Sequence, residues 1–232
     1  MWEALHSCLC RNGDLSFCPV RFAHRPALKA EHAILNYQWQ KNDRLFRAEV
    51  YAKTYRRLVA LEEDSPTYGN SGKGYARGVD FFFRDKATIR RGDFWLTYSF
   101  IDAKRRYGTY PVLAQPTFVA NHTLSAVYKQ FIPLLKTYAG FTYRLASGRP
   151  YLNPSNPEFL GDRTDSDHNL SLSVSYITSL FGQSSVVYFS CTNLPGFRNR
   201  FGYYYSEDGA SRFPILPVSD RSLFLALFIT IK

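Results

Sequence analysis

Strict alternation of apolar and polar residues is the feature of this sequence that most limits its fold. Side chains of a β-strand point to opposite faces in turn, so a two-residue period indicates a strand. From Phe46 to Lys53, for example, every even-numbered residue is apolar and every odd-numbered one is polar or aromatic. No stretch shows the 3.6-residue stripe of an amphipathic helix, and the sequence therefore predicts an all-β protein. The predicted strands are nine segments: 33–40, 45–55, 78–86, 94–101, 123–129, 139–145, 170–176, 186–193 and 222–231.

The connections between these segments differ in length in a regular way. Short connections near 41–43, 87–92, 132–134 and 181–184 alternate with long ones at 62–75, 105–121, 147–167 and 195–220. Transmembrane barrels have short periplasmic turns and longer extracellular loops, whereas a soluble sandwich has no reason to sort its loops this way. We therefore expect an antiparallel transmembrane β-barrel segment whose C-terminus, at Lys232, lies at the periplasmic rim.

Composition is compatible with a chain that crosses a membrane by strands. A spanning helix needs about 20 largely apolar residues, and the best apolar run here, 223–231, is much shorter. Aromatic residues make up 17% of the chain and are nearly all Tyr and Phe. Such residues favour strands and also collect at membrane interfaces.

Charged residues in the middle of the predicted strands indicate which face is wet. An Arg or Lys turned toward lipid costs roughly 2–4 kcal/mol at the bilayer midplane, so these side chains are expected to face a water-filled lumen. A register slip of one residue would reverse every row, so the assignment applies to whole strands. The predicted lumen-facing residues are Arg47, Glu49, Lys53, Asp80, Arg84, Lys129 and Arg144.

The net charge of +10 does not by itself indicate a nucleic-acid-binding protein. The basic clusters at 56–57, 90–91 and 104–106 each lie beside the end of a predicted strand, where solvated charges are common. We expect no nucleic-acid partner, and expect the outer-membrane lipid to surround the strands.

The sequence predicts no catalytic, metal or cofactor site. The four cysteines, at positions 8, 10, 18 and 191, form no regular framework. The acidic run 162–168 lacks the glycine and the distal Glu of a calcium loop. His122 and His168 stand alone at strand entries beside long loops, and we expect hydrogen-bonding roles for both.

Several motifs resemble one known family. They are the runs ARGVDFFFRDK (76–86), FWLTYSF (94–100), PTFVANHTLS (116–125) and SGRPYLNP (147–154), together with Lys104-Arg105, residues 193–205 and the last strand. In this order they resemble the C-terminal barrel of TonB-dependent receptors of the Bacteroidetes type, over about 28–232.

This resemblance implies an outer-membrane importer. Members of that family have a 22-stranded barrel around an N-terminal plug, and the TonB system drives uptake of scarce or large ligands such as siderophores, metal complexes or glycans. The sequence shows no plug, TonB box or signal peptide. We therefore expect a C-terminal barrel fragment, 28–232, that lacks its plug and its other strands, preceded by an uncertain or non-native segment, 1–27.

The long loops are the predicted ligand-binding elements, because recognition residues gather on loops held by a rigid scaffold. Their aromatic and cationic side chains are candidates for a vestibule, the main ones being Tyr107, Tyr110, Phe118, Arg149, Tyr151, Arg163, Arg198 and Tyr203.

Two other functions are compatible with parts of the pattern. A soluble β-sandwich that binds a ligand would also show alternation. A glycan-active outer-membrane enzyme would need paired carboxylates or a Ser/His pair at one rim, and the sequence shows neither, so we expect no enzymatic activity.

Overall fold

A computed structural model describes residues 16–21, 28–61 and 68–230. It contains fourteen strands and one turn of 3₁₀-helix, and the elements contact mainly their pairing partners. The strands are β1 (Ser16–Arg21), β2 (Lys29–Lys41), β3 (Arg44–Leu61), β4 (Tyr68–Asp85), β5 (Gly92–Arg106), β6 (His122–Ile132), β7 (Thr137–Ala146), β8 (Pro150–Tyr151), β9 (Asp162–Arg163), β10 (Asp167–Leu180), β11 (Gln183–Thr192), β12 (Gly202–Tyr205), β13 (Arg212–Ile215) and β14 (Ser222–Ile229).

Ten of these strands form one antiparallel sheet in the order β1-β2-β3-β4-β5-β6-β7-β10-β11-β14. Each strand of the sheet therefore pairs with the next one along the chain, apart from two small hairpins, β8/β9 and β12/β13, that lie in the loops. All nine predicted strands are present, and the predicted all-β antiparallel fold is confirmed. β1 adds a tenth strand, which pairs with β2. The rest of the predicted N-terminal segment 1–27, like Lys232, lies outside the described residues.

Tight turns join the strands at one end of the sheet. Asn42 and Asp43, with φ of 48° and 59°, form the two-residue connection between β2 and β3. Phe181 and Gly182, with φ of 52° and 74°, do the same between β10 and β11. Positive φ at both central residues matches the right-handed twist of the flanking strands. Residues 86–91 and the 3₁₀ turn at Pro133–Leu135 make the other two connections at this end.

The predicted long loop at 62–75 is wrong in its extent. β3 continues to Leu61 and β4 begins at Tyr68, so only 62–67 separates them. Its glycines lie within the sheet: a Cβ on Gly72 would come within 2.5 Å of the Leu58 carbonyl oxygen. At that position glycine permits close approach of neighbouring backbones, which is a strand role rather than a loop role.

The two faces of the sheet differ in character. The outward face (our name for the face that carries Leu35, Val50 and Val79) is apolar across the middle of the sheet, and Leu35, Val50, Phe81 and Phe141 on it are all exposed. No other described strand packs face to face against this sheet, so the alternative β-sandwich is not formed. An apolar surface of this extent marks a site of contact with another apolar phase. None of the described helical turns is long enough to cross a bilayer.

Candidate functional site

The opposite face, here called the polar face, carries all seven residues predicted to line a lumen. Residues directly paired in an antiparallel sheet point to the same side, as do residues two apart in one strand. Glu49 pairs with Asp80. Arg84 pairs with Trp95, and Trp95 in turn pairs with Val127 on β6. Register therefore brings the seven side chains onto a single face, and their contact with a water-filled lumen stays a prediction.

One row of paired residues shows how polar this face is along its width. It runs across seven strands, from β2 to β10, and contains only one apolar member. Its members are Gln38, Arg47, Phe82, Thr97, Ser125, Arg144 and Asn169. Such a row would be costly against lipid but is easily solvated by water.

A cationic cluster lies on the polar face near the tight turns. Arg84 donates to both carboxylate oxygens of Asp93, with Nε–Oδ1 and Nη2–Oδ2 distances of 2.8 and 2.5 Å. The Arg84 guanidinium and the Lys129 ammonium lie 5.5 and 5.3 Å from the Trp95 ring centre. Two cations against one carboxylate leave this cluster positive, which favours an anionic neighbour.

Three long loops lie at the end of the sheet opposite the tight turns. Loop A (107–121) joins β5 to β6, loop B (147–166) joins β7 to β10 and includes β8 and β9, and loop C (193–221) joins β11 to β14 and includes β12 and β13. Loop A also bonds to the end of β3, because the Gly108 amide donates to the Val59 carbonyl oxygen at 2.8 Å. Loop A is therefore anchored to the end of β3, and the three loops together are here called the loop layer.

Arg163 of loop B joins loops A and B. Its Nη1 donates to Asn121 Oδ1 at 2.8 Å and to the Gly148 carbonyl oxygen at 3.3 Å, and its Nη2 donates to Gln115 Oε1 at 2.7 Å. The guanidinium fork suits such a set of acceptors because its donors are fixed in one plane. Arg163, predicted to contact ligand, therefore organises the loops in this structure.

Two aromatic groups combine residues from different loops. In the first, Tyr110 of loop A lies 4.8 Å from Tyr107 and 5.1 Å from Phe159 of loop B, measured between ring centres. In the second, Tyr151 of loop B lies 4.7 Å from Tyr203 of loop C. Arg212 lies 4.4 Å from the centre of the Tyr203 ring.

The structure brings the remaining predicted vestibule residues together only in part. Arg149 lies 5.8 Å from the Phe201 ring and 3.9 Å from an Asp167 oxygen, so it contributes to the loop layer. Phe118 is 60% exposed and is not part of either aromatic group. Arg198 is exposed and makes no hydrogen bond, ion pair or ring contact with other described residues.

The sequence interpretation missed several residues that hold the loops. Asn199 Nδ2 donates to the His168 carbonyl oxygen at 2.8 Å, and its Oδ1 accepts from the His168 amide at 3.0 Å. Asn193, which is buried, donates to the carbonyl oxygens of Phe197 and Asp220. Asparagine in a loop is a general signal for such local bonds, but nothing in the sequence identifies their distant partners.

The acidic run of loop B does not form a cation site in this structure. Asn153 and Asn156 donate to the two carboxylate oxygens of Asp162 at 2.5 and 2.7 Å, and these hydrogen bonds hold the pKa of Asp162 below its ordinary value. Among the described residues, no three His, Cys, Asp or Glu side chains lie close enough together to hold a metal ion. Cys8 and Cys10 lie outside those residues.

Replacing Arg163 by alanine is expected to loosen loops A and B. The loss of three hydrogen bonds from an exposed side chain should cost about 1 kcal/mol of local stability. Cleavage within these loops by a protease, when it follows the population of the open form, should then become about fivefold faster. Limited proteolysis of the membrane-inserted protein measures this rate.

Arg198→Ala is the matched control, since it removes the same charge from an exposed loop position that makes no hydrogen bond, ion pair or ring contact within the described part of the chain. Equal acceleration in both variants would show that Arg163 does not organise the loops.

Known proteins with this architecture identify the family. Residues 28–194, which are most of the chain, match the family described as TonB dependent receptor-like, beta-barrel. None of the curated proteins matches the sequence.

Solved structures share the fold at low sequence identity. The ferric-catecholate import receptor Fiu of E. coli is 15% identical with a TM-score of 0.63, covering 95% of this chain and 30% of that one. The ferric yersiniabactin uptake receptor FyuA of Yersinia pestis is 15% identical with a TM-score of 0.64, and the match covers 86% of this chain and 29% of that one. The FrpB iron transporter of Neisseria meningitidis is 12% identical with a TM-score of 0.61, and the match covers 86% of this chain and 30% of that one.

The chain thus spans about 30% of the length of these solved receptors. The family match, the single antiparallel sheet and the apolar outward face all indicate the wall of a membrane barrel. The chain belongs to the β-barrel family of TonB-dependent receptors, which are proteins of the bacterial outer membrane.

Proposed function

We propose that this chain forms the C-terminal part of the barrel wall of an outer-membrane receptor of the Bacteroidetes type. In this role it takes part in TonB-driven uptake of a scarce or large ligand. The observation that carries the proposal is the division of the sheet into an apolar outward face and a polar face, with the long loops at one end. Ten strands are about half of a 22-stranded barrel, so further strands and a plug domain are the partners that complete it.

The orientation follows from the two kinds of connection. The tight turns would lie in the periplasm and loops A, B and C outside the cell, as in other outer-membrane barrels. β14 then runs inward and places the C-terminus in the periplasm. The polar face would line the lumen and contact the plug, water or passing ligand.

The ligand is proposed to be a ferric chelate, one of the siderophores and metal complexes that such receptors take up; a glycan is the other class. The three similar solved proteins are named for iron or iron-chelate import. Loop C presents a stacked pair, Tyr204 and Phe213, with ring centres 5.2 Å apart and planes 19° apart. Tyr204 is 58% exposed, so the pair offers a flat aromatic surface on which a chelate can stack.

Removing that surface is expected to reduce uptake. The double variant Tyr204→Ala/Phe213→Ala should lower the initial rate of uptake of a radioiron-labelled ferric catecholate about tenfold, because exposed aromatic anchors often dominate binding. The measurement uses cells that lack other iron receptors and carry the complete gene product.

The control is Val218→Ala, another exposed apolar position of loop C. Uptake that is equal in the double variant, the control and the unmodified protein would contradict the aromatic binding surface. Uptake that is unchanged by deletion of the gene or by loss of TonB, for ferric chelates and glycans alike, would contradict the transport function itself.

A further inference from the structure

The last strand of the sheet, β14, is apolar on both of its faces. Register assigns to the outward face its residues Leu223, Leu225, Leu227 and Ile229. The polar face carries Phe224, Ala226 and Phe228. An antiparallel strand with one face in water alternates between apolar and polar residues, whereas a nearly continuous apolar run is typical of a strand covered on both faces. Lipid covers the outward face in the proposed function, so the apolar residues on the polar face need a different cover.

Apolar side chains on two neighbouring strands continue this surface. Phe228 pairs with Val186 of β11, which pairs with Ile177 of β10. Ala226 pairs with Tyr188, whose ring centre lies 6.1 Å from that of Phe224. We call the group the apolar seat, and its members are Ile177, Val186, Tyr188, Phe224, Ala226 and Phe228. The apolar seat extends over about 13 Å along the strands and about 10 Å across them.

The apolar seat differs from the rest of the polar face. On β10 the same face carries Ser171, Ser173 and Ser175, and further along the sheet it carries the cationic cluster around Arg84 and Lys129. Phe224 and Phe228 in the seat are 56% and 59% exposed. Exposed apolar side chains that are concentrated in one part of an otherwise polar surface mark a contact with another molecule or domain.

The position of the apolar seat limits what can cover it. In a closed barrel the wall separates the polar face from lipid and from other barrels, so the cover has to lie in the lumen. A passing ligand would cover the seat only briefly, whereas β14 stays in the sheet between transport events. This chain spans about 30% of the solved receptors with ten strands. At the same length per strand, twelve further strands leave about a third of such a receptor for a domain outside the wall.

We propose that the apolar seat binds an apolar surface of the plug domain and holds the plug against β10, β11 and β14. The proposal rests on the proposed function, which places the polar face in the lumen and the plug beside it. The plug surface that fits the seat is rich in aliphatic or aromatic side chains. Water can remain between the plug and Arg47, Glu49 or Asp80, because these groups are better solvated than buried, so the seat is the fixed contact.

Photo-crosslinking in the complete gene product, without added ligand, tests where the plug is held. A benzophenone amino acid replaces Phe228 in one protein and Thr97 in a second protein, the control. Thr97 lies on the same face, in the polar row between Phe82 and Ser125. Mass spectrometry of the crosslinked peptides identifies the segment reached from each position. We expect the probe at Phe228 to reach the plug of its own chain with a yield about tenfold above that at Thr97, because apolar contacts that exclude water dominate such interfaces.

Two results of the crosslinking would overturn the proposal. Equal yields at the two positions would show that the seat is not the preferred place of contact. Crosslinks from Phe228 that reach only lipid, or that form only after a ferric chelate is added, would show that the plug is not the occupant.

The double variant Phe224→Ser/Phe228→Ser tests whether the seat holds the plug in place. Both exposed rings are lost, so the plug should leave its closed position more often, and the ion conductance of the complete gene product in a planar bilayer should rise about tenfold. Phe82→Ser is the matched control, since it removes an aromatic ring from the same face outside the seat. A double variant that conducts no more than this control would count against the proposal.

A folding control keeps the conductance result interpretable. Each variant should keep the heat-dependent gel migration of the unmodified folded barrel. If the double variant loses it, Phe228→Ser alone replaces it, and conductance equal to that of Phe82→Ser there overturns the proposal. Chelate uptake by the unmodified protein reports separately on the proposed function: its absence would count only against transport, because the crosslink from Phe228 to the plug forms without ligand.

Discussion

Replacing Val50 by arginine is expected to lower the free energy of unfolding by about 2–4 kcal/mol, the cost of a cation on the lipid face near the bilayer midplane. Val50 lies in the wholly apolar row of the outward face, between Leu35 and Val79, and is 51% exposed. The side-chain surface of Val50 that is exposed in this sheet is the surface that lipid would cover. Urea titration of the complete gene product in lipid vesicles measures the change.

Glu49→Arg is the control, one residue away on the same strand. Glu49 pairs with Asn36 and Asp80 on the polar face, so an arginine there meets an amide and a carboxylate. We expect a change below about 1 kcal/mol. A larger loss for Glu49→Arg than for Val50→Arg would mean that the two faces have been assigned the wrong way round.

Replacing Gly78 by alanine is expected to destabilise the centre of the sheet by about 1–3 kcal/mol, as overpacking does in well-packed structures. Gly78 pairs with Tyr51, and the ring of Tyr51 lies over it. A Cβ on Gly78 would come within 2.6 Å of the Tyr51 hydroxyl oxygen and closer still to the carbonyl oxygen of Phe100. The tyrosine ring can rotate away, but the carbonyl belongs to the adjacent strand and cannot.

Gly202→Ala provides the comparison, because a Cβ at that position meets only Ile215 Cδ1 at 3.4 Å, an ordinary contact. The same urea titration should show little change for it. If Gly78→Ala were as stable as Gly202→Ala, the close packing of β3, β4 and β5 around Gly78 would be incorrect.

The sequence predicted the strands well wherever one face is apolar and the other polar. It failed where β3 and β4 extend past that region. Around Lys73 and Gly74 both faces are polar or lack side chains, so alternation disappears although the hydrogen-bonded ladder continues to Leu61 and Tyr68. Periodicity reports a difference in environment between two faces, and it cannot detect a strand whose two faces have similar surroundings.

The candidate site was predictable to different degrees in its two parts. The seven polar-face residues follow from parity within each strand, and pairing then joins the strands. Arg163 was chosen for its residue type, yet its partners Gln115 and Asn121 lie 48 and 42 residues earlier in the chain. Loop conformation depends on such distant contacts, which a single sequence does not show.

Quenching by brominated lipid tests directly which face of the sheet contacts the bilayer. A fluorophore is attached to single cysteines at Glu49, Val50, Asp80 and Phe81 in a cysteine-free background, and the protein is reconstituted with brominated acyl chains. We expect strong quenching at Val50 and Phe81 and little at Glu49 and Asp80, because register places the first two on the outward face and the others on the polar face. Equal quenching at all four positions, or stronger quenching at Glu49 and Asp80, would contradict this assignment of the faces.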